Sequence, residues 1–217
     1  MLLHTSLSAE AIGIFSAIIG YGLGSVPFGL VLTKICGFDL RNIGSGNIGA
    51  TNVLRTGRKD LAFATLLLDT GKGGLAALGC MWLWDTDAGL IAGCTAVLGH
   101  NFPLWLRFKG GKGVATTLGV LLVTAWPVGL LTCAIWAGVA AITRYSSLSA
   151  LCALGSAPFL AWFLTTPHHG AAFGSLAALA FIRHRNNIRQ LWCGTEPRIG
   201  NKASPSTDCS IQPKEKA

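Results

Sequence analysis

Charged residues are scarce in this 217-residue sequence, at 12%, while apolar residues make up 51%. An ordinary soluble domain carries about twice that charged fraction. The composition therefore excludes such a domain and predicts an integral membrane protein. Acidic residues are scarcer still, since nine of them stand against 17 Lys and Arg, for a formal net charge of +8. Basic residues confined to one membrane face explain this excess, so we expect no nucleic-acid partner.

Two other familiar patterns are missing. The seven cysteines form no Cys-x-x-Cys pair and mostly lie in apolar runs. We therefore expect small buried side chains, rather than a zinc site or a disulfide framework. The N-terminus also lacks the basic region and cleavage site of a removable signal peptide. We therefore expect the first apolar run to be a retained membrane span.

Six apolar runs are present, and the fourth is too long for one ordinary crossing. About 20 apolar residues span a bilayer, whereas the fourth run has 30. Pro127 lies near its middle, so we predict two shorter spans that meet at Trp126 and Pro127. The predicted fold class is all-α, a polytopic membrane protein with seven transmembrane helices. The runs are 12–35, 61–84, 88–106, 114–143, 148–164 and 171–182.

Basic residues support this count independently of hydropathy. Every Lys and Arg except Lys72 falls on one side of the seven-span arrangement, and none precedes the first run. Cytoplasmic loops are rich in Lys and Arg. The N-terminus is therefore predicted outside the membrane and the C-terminus in the cytoplasm. Residues 1–196 form the predicted membrane domain, and 197–217 form a polar, disordered cytoplasmic tail.

Polar loops precede the three spans that begin at the cytoplasmic side. These loops are 44–55, 107–117 and 146–149, and they are rich in small, hydrogen-bonding residues. His184, Arg185 and Asn187 end the last span at the same level. The pattern predicts one polar, positively charged site at the cytoplasmic face.

The second of these loops has the composition of a phosphate cradle. Gly110, Gly111 and Gly113 leave the backbone free to turn its N–H groups toward one anion, and Lys112 adds charge. The helix predicted from Val114 would place its N-terminus there. This is not a nucleotide P-loop, because Lys112 is followed by glycine rather than Ser or Thr. A flexible basic loop that touches anionic lipid headgroups is the alternative.

The first loop also suits a phosphate. Arg55 can hold a phosphate or carboxylate through two parallel hydrogen bonds, and Ser45 can add a third. Alternatively, the loop is only a tight turn from which Arg55 reaches lipid phosphates. His184 can exchange protons near neutrality, although a histidine amid arginines at a span end also serves as an interfacial anchor.

Two further polar groups have structural interpretations. Asp69 and Lys72 stand three residues apart within the second run, so we expect them to pair, because an isolated charge in hydrocarbon is costly. A structural ion pair is favoured over direct catalysis. His100 is expected to fix the approach to the glycine loop through a hydrogen bond.

Three segments resemble the signature motifs of the bacterial acyl-phosphate-dependent glycerol-3-phosphate acyltransferases. They are GSGNIGATNVLR, GHNFPLWLRFKGGKGVATT and HRNNIRQLWCGTE, and LDTGKG in the second run adds to the likeness. The resemblance extends to about Glu196. Ile48 stands where this family often has proline, which we expect to affect loop rigidity only. The His-x4-Asp box of coenzyme-A-dependent glycerolipid acyltransferases is missing.

The resemblance implies transfer of an acyl group from acyl phosphate to the 1-hydroxyl of glycerol 3-phosphate, giving lysophosphatidate and phosphate. Residues 1–196 would then be a single acyltransferase domain in the cell inner membrane, with its active site facing the cytoplasm. The reaction is the first step of phospholipid synthesis and needs no cofactor or metal. Besides the two substrates and the lipid bilayer, the soluble enzyme that makes acyl phosphate is an expected partner.

Site residues follow from the same resemblance. His184 would orient or deprotonate the substrate hydroxyl, and Asn187 would donate to the carbonyl oxygen. The departing phosphate could itself take the proton, which would make His184 a binding residue. Catalytic roles fall on Ser45, Arg55, His184 and Asn187, and substrate binding falls on Asn47, Asn52, Gly110, Gly111, Lys112, Gly113, Ser147 and Glu196.

Two rival functions belong to other classes. A transporter of an organic phosphate should have its site near the membrane midplane, at broken helices in repeated halves. The polar groups at one face and the lack of an internal repeat argue against it. A lipid-binding scaffold without catalysis leaves His184 and Asn187, beside two phosphate loops, unexplained.

Overall fold

The computed structural model describes residues 7–200 as an all-helical protein, with no strand in that range. Short turns join neighbouring helices, as in an antiparallel bundle. Within the described range the α-helices are α1 Ala9–Gly24, α2 Phe28–Ile35, α3 Ala50–Val53, α4 Lys59–Leu83, α5 Thr86–Asn101, α6 Val114–Thr124, α7 Trp126–Thr143, α8 Ser146–Leu164, α9 Pro167–Arg183 and α10 Arg185–Trp192. The prediction of an all-α protein is confirmed.

Helix length and composition support a multi-pass membrane protein. Among the described residues, five helical segments are long and apolar enough to cross a bilayer. The remaining two predicted spans correspond to α6, with 11 residues, and α9, with 17. The count of seven and the orientation of the termini therefore stay predictions. The five segments are Ala9–Ile35, Lys59–Leu83, Thr86–Leu106, Trp126–Thr143 and Ser146–Leu164.

The predicted division of the long apolar run is confirmed. Helix α6 ends at Thr124 and α7 begins at Trp126, so that only Ala125 lies between them. Pro127 is in the first turn of α7, where its missing N–H costs no helical hydrogen bond. The run thus folds back on itself, and α6 and α7 pack against each other.

A second break, between α1 and α2, was not predicted. Pro27 has no N–H to continue the helix, and the carbonyl groups before it need other donors. The ammonium group of Lys72 donates to the Val26 carbonyl at 2.7 Å, and the Trp105 indole donates to the Ser25 carbonyl at 2.9 Å. Side chains of two other elements therefore satisfy the break.

Small residues let the helices approach closely. A Cβ added to Gly24 of α1 would lie 2.0 Å from the Ala96 carbonyl oxygen of α5. A Cβ on Gly119 of α6 would lie 2.0 Å from the Thr70 carbonyl oxygen of α4. Backbones in contact are typical of helix packing in lipid, and here they bring α1 against α5 and α6 against α4.

The cysteines only partly follow the expectation. Within the described residues Cys36, Cys80, Cys94, Cys133 and Cys152 are free. Cys80 is buried, whereas Cys36 and Cys152 are exposed. Cys193 is disulfide-bonded, so the expectation of apolar, unpaired cysteines is wrong at that position.

The predicted tail falls mostly on residues 201–217, which lie outside the described residues. Its first residues do make contacts. The Ile199 amide donates to the Arg144 carbonyl at 2.7 Å, and the Arg144 guanidinium donates back to the Ile199 carbonyl at 3.1 Å. Arg198 lies over the ring of Tyr145, 5.5 Å from its centroid. The chain beyond Glu196 is therefore held against the α7–α8 junction as far as residue 199.

Candidate active site

A cavity of about 460 Å³ collects the polar loops named above. Its walls come from the 44–55 loop, α4, α6, α7, α8, α10 and the chain that follows α10. Ten of the twelve predicted site residues line it, and Gly110 and Gly111 do not. The ten are Ser45, Asn47, Asn52, Arg55, Lys112, Gly113, Ser147, His184, Asn187 and Glu196.

Asn52 organises the 44–55 loop. Its amide nitrogen donates to the carbonyl oxygens of Leu40, Ile43 and Asn47 at 3.2, 2.9 and 2.8 Å. Its amide oxygen accepts from the Ser45 amide at 3.2 Å. An asparagine amide has two N–H hydrogens, so this one, 2% exposed, is fully used within the protein. The observed role is to hold the loop; direct substrate binding stays a prediction.

Arg55 lies against the same loop. One terminal nitrogen, Nη1, donates to the Asn52 amide oxygen at 3.3 Å. A Cβ on Gly44 would lie 2.9 Å from that nitrogen, so glycine is needed for the close approach. Burial lowers the pKa of Arg55, yet a guanidinium stays charged in proteins. Its other N–H groups have no hydrogen-bond partner among the described residues, and Arg55 lines the cavity.

The glycine loop differs from the predicted cradle. The Gly110 amide donates to the Asn101 carbonyl at 3.1 Å, and the Gly111 amide donates to the His100 carbonyl at 3.0 Å. These N–H groups are therefore used within the protein in this structure, and their closing on the substrate stays a prediction. A Cβ on Gly111 would lie 2.1 Å from Nε2 of His100. These glycines permit close packing of the loop on the end of α5.

Gly113, unlike the two glycines before it, lines the cavity, and its role in substrate binding stays a prediction. It precedes α6 with a φ of +78°, a conformation that glycine adopts without strain. Val114 and Ala115 follow it along the cavity wall. The first N–H groups of a helix have no partner inside the helix, and no side chain caps α6. The N-terminus of α6 thus presents partial positive charge to the cavity.

A chain of polar side chains crosses the cavity beside this helix end. Lys112 donates through Nζ to Oδ1 of Asn187. Nδ2 of Asn187 donates to both carboxylate oxygens of Glu196, at 2.9 and 3.1 Å. The hydroxyl of Ser147 donates to Oε1 of Glu196 at 2.5 Å. Burial lowers the pKa of Lys112 to about 8 despite the opposing charge of Glu196.

His184 lies at the junction of α9 and α10 and is only 2% exposed. Its Nδ1 is 2.7 Å from the Ala180 carbonyl oxygen. Burial first, and then the nearby charge of Lys112, lower the pKa of the imidazole to about 4. The ring is therefore neutral near pH 7, and because a carbonyl only accepts, the hydrogen is on Nδ1. Nε2 is left as an acceptor, and His184 lines the cavity.

Buried charges lie at the back of the cavity. Nζ of Lys72 is 2.7 Å from Oδ1 of Asp69, which confirms the predicted pair. The same ammonium group lies 2.8 Å from Nδ1 of His100. His100 does support the glycine loop, as expected, but through its carbonyl group. Its imidazole instead joins the Asp69–Lys72 pair.

Two arginines that the sequence did not single out hold the glycine loop from outside. Arg41 donates to the carbonyl of Lys109. Arg183 donates to the carbonyls of Gly110 and Gly111. Arg183 directly precedes His184, so its place immediately before the third motif was the available signal.

The arrangement can bind anions and accept a proton. Arg55, Lys112 and the N-terminus of α6 supply positive charge, while Nε2 of His184 supplies a neutral acceptor in the same cavity. Leu66, Leu118 and Trp136 add an apolar wall to it. Such a site can hold an amphiphilic phosphate beside a small polar one.

Comparison with known proteins agrees with this chemistry. Residues 14–194 match the family model described as glycerol-3-phosphate acyltransferase. The chain is 60% identical over 214 residues to the glycerol-3-phosphate acyltransferase of Rhodospirillum rubrum, which covers 94% of this chain and 99% of that protein. It is 55% identical over 202 residues to the enzyme of Maricaulis maris, covering 93% of this chain and 94% of that protein.

A solved structure is similar along most of its length. The crystal structure of PlsY (YgiH), an integral membrane glycerol 3-phosphate acyltransferase, in its glycerol 3-phosphate form, matches with a TM-score of 0.82 and 38% sequence identity. The match covers 87% of this chain and 96% of that chain. The protein described here therefore belongs to the glycerol-3-phosphate acyltransferase family of integral membrane proteins.

Proposed function

We propose that this protein transfers an acyl group from an acyl phosphate to the 1-hydroxyl of glycerol 3-phosphate. The observation that carries the proposal is one cavity with cations, a neutral imidazole and an apolar wall. Both substrates carry phosphate, and only the donor has a long apolar chain. The cationic end suits the two phosphates, and the wall of Leu66, Leu118 and Trp136 suits the chain.

The reaction needs little covalent help from the protein. The substrate hydroxyl oxygen attacks the carbonyl carbon of the acyl phosphate, the bond from that carbon to the phosphate oxygen breaks, and lysophosphatidate and phosphate result. An acyl phosphate is a mixed anhydride with a good leaving group. Holding two anions in line and stabilising the developing oxyanion can therefore supply most of the acceleration.

In this proposal Ser45, Arg55 and Lys112 bind phosphate, and His184 accepts the hydroxyl hydrogen bond through Nε2. Burial, and after it the charges of Lys112 and then Arg183, lower the pKa of His184. Bound phosphate would neutralise the charge of Lys112, so the pKa of His184 rises in the complex and the imidazole can take the proton. Alternatively, the departing phosphate accepts the proton of the hydroxyl group.

Asn187 has a more indirect role in this geometry than the sequence predicts. Its amide nitrogen is engaged by the Glu196 carboxylate, so donation to the substrate carbonyl requires that contact to break. In the observed state Asn187 positions Lys112. We propose that the developing oxyanion is met by Lys112 and by the N–H groups at the start of α6.

The decisive experiment uses the purified chain in lipid nanodiscs with palmitoyl phosphate and labelled glycerol 3-phosphate. Formation of labelled lysophosphatidate without coenzyme A or acyl carrier protein is expected. Product that requires an acyl thioester would refute the proposed donor. Uptake of glycerol 3-phosphate into sealed vesicles without product would identify a transporter.

We further propose seven spans in the cell inner membrane, with the cavity open to the cytoplasm. The segregation of Lys and Arg supports this orientation. Single cysteines at positions 46, 109 and 186, in a chain whose own cysteines are replaced, should react with an impermeant reagent only from the cytoplasmic side. Labelling of these positions from opposite sides would eliminate a common cytoplasmic site.

A further inference from the structure

Arg183 binds the backbone of the glycine loop rather than the cavity. Its Nε donates to the Gly111 carbonyl at 3.0 Å, and Nη2 donates to the carbonyls of Gly111 and Gly110 at 2.8 and 3.1 Å. The guanidinium also lies over the ring of Phe102, 5.1 Å from its centroid. Arg183 does not line the cavity, so its hydrogen bonds reach a substrate through the loop. Its charge also adds, after burial, to the lowered pKa values of Lys112 and His184.

The glycine loop makes hydrogen bonds through both its N–H groups and its carbonyl groups. On one edge, the amides of Gly110 and Gly111 donate to carbonyls at the end of α5. On the other edge, their carbonyls accept from Arg183. The planar guanidinium can present two parallel N–H groups to adjacent carbonyls, whereas a lysine ammonium is a single point of charge. The chemistry of this contact therefore calls for arginine in particular.

We propose that Arg183 is a positioning residue that sets the separation between the groups on either side of the reacting centre. Lys112 follows Gly111 in the chain, and His184 follows Arg183. One side chain thus joins the peptide that carries the phosphate-binding ammonium to the helix end that carries the imidazole. This inference rests on the proposed function for its kinetic consequence, but the mechanical link does not.

The kinetic test compares Arg183→Gln, Arg183→Lys and the control Arg185→Gln. Arg185 is exposed at the start of α10, and its replacement removes the same charge two residues away. With charged hydrogen bonds lost, Arg183→Gln should lower kcat/KM for glycerol 3-phosphate by about 10- to 100-fold. Arg183→Lys should recover only part of this loss, and Arg185→Gln should stay within about threefold of the parent. Full recovery by lysine, or equal losses in both glutamine variants, would overturn the proposal.

Hydrogen exchange of the 107–113 peptide tests the link without any substrate. Exchange should be faster in Arg183→Gln than in the parent or in Arg185→Gln, with the exchange of α4 unchanged. Equal exchange rates in the parent, Arg183→Gln and Arg185→Gln would show that Arg183 does not hold the loop. If Arg183→Gln does not fold, Arg183→Lys supplies the same comparison. An inactive parent protein, combined with faster loop exchange in the variant, would refute the proposed function but would still support the contact between Arg183 and the loop.

Discussion

Asn187 joins Lys112 to Glu196 through the two ends of one amide group. Its orientation is fixed by chemistry, because an ammonium group can only donate and a carboxylate can only accept. A flipped amide would place two donors together on one side and two acceptors together on the other. The position of the Lys112 charge is therefore set from the far wall of the cavity.

Replacing Glu196 by Gln should disturb Lys112 without touching it. The new amide group keeps one oxygen that accepts from Nδ2 of Asn187 and replaces the other by a donor, so Asn187 would be held less firmly and would fix Lys112 less well. We expect kcat/KM for glycerol 3-phosphate to fall by about 10- to 100-fold, the value of a charged hydrogen bond. Ser147→Ala removes only one donor from the same carboxylate and should cost less. Parent-like kinetics in Glu196→Gln would contradict the proposed network.

Activity should decline as the pH rises through the pKa of Lys112. Burial lowers that pKa to about 8, so the free enzyme carries the ammonium charge below this pH and loses it above. The profile of kcat/KM, which reports the free enzyme, should show a basic limb near pH 8. Lys112→Arg should remove that limb, because a guanidinium does not deprotonate. A limb that persists in the arginine variant would assign it to another group.

His184→Ala separates the two proposed roles of the imidazole. If Nε2 accepts the proton during transfer, kcat at saturating substrates should fall by about 10²- to 10⁴-fold, and this is the result we expect. Both substrates must be saturating for this measurement. A change confined to KM would instead identify a binding residue and the departing phosphate as proton acceptor.

Asn52→Asp tests the centre of the first loop. The substitution is nearly isosteric, but it removes the N–H donors to the carbonyls of Leu40, Ile43 and Asn47 and adds charge beside them. We expect a loss of about 1–3 kcal/mol of stability for the unsatisfied buried groups, seen as a lower Tm in detergent. The exposed Asn186 provides the matched control, Asn186→Asp. Equal Tm values for the two variants would show that Asn52 does not hold the loop.

Much of the fold could be predicted because lipid imposes a simple rule on composition. Apolar runs gave the helices, and Pro127 gave the division between α6 and α7. The break before α2 was missed although Pro27 was visible, because the run around it is continuously apolar. The carbonyl groups at this break accept hydrogen bonds from Lys72 and Trp105, which are distant in the sequence. A hydropathy profile contains no information about such long-range contacts.

The residues of the site were easier to predict than their partners. Residue type and loop spacing, together with the resemblance to the acyltransferase family, selected ten residues that do line one cavity. They could not show that the amides of Gly110 and Gly111 donate to carbonyl groups at the end of α5, because glycine allows many backbone conformations. Nor could they show Arg183 on the loop carbonyls, because that contact depends on how α9 packs.

The shortness of α6 has a consequence for where the chemistry takes place. Its 11 residues rise about 16 Å, whereas the 18 residues of α7 beside it rise about 27 Å. The two helices share one turn, so the opposite end of α6, at Gly113, stops about 10 Å short of its neighbour. We expect the water-soluble reactant to enter the gap beyond the N-terminus of α6 from the aqueous side. The acyl chain of the other reactant can reach the same gap laterally while it stays within the hydrocarbon region of the bilayer.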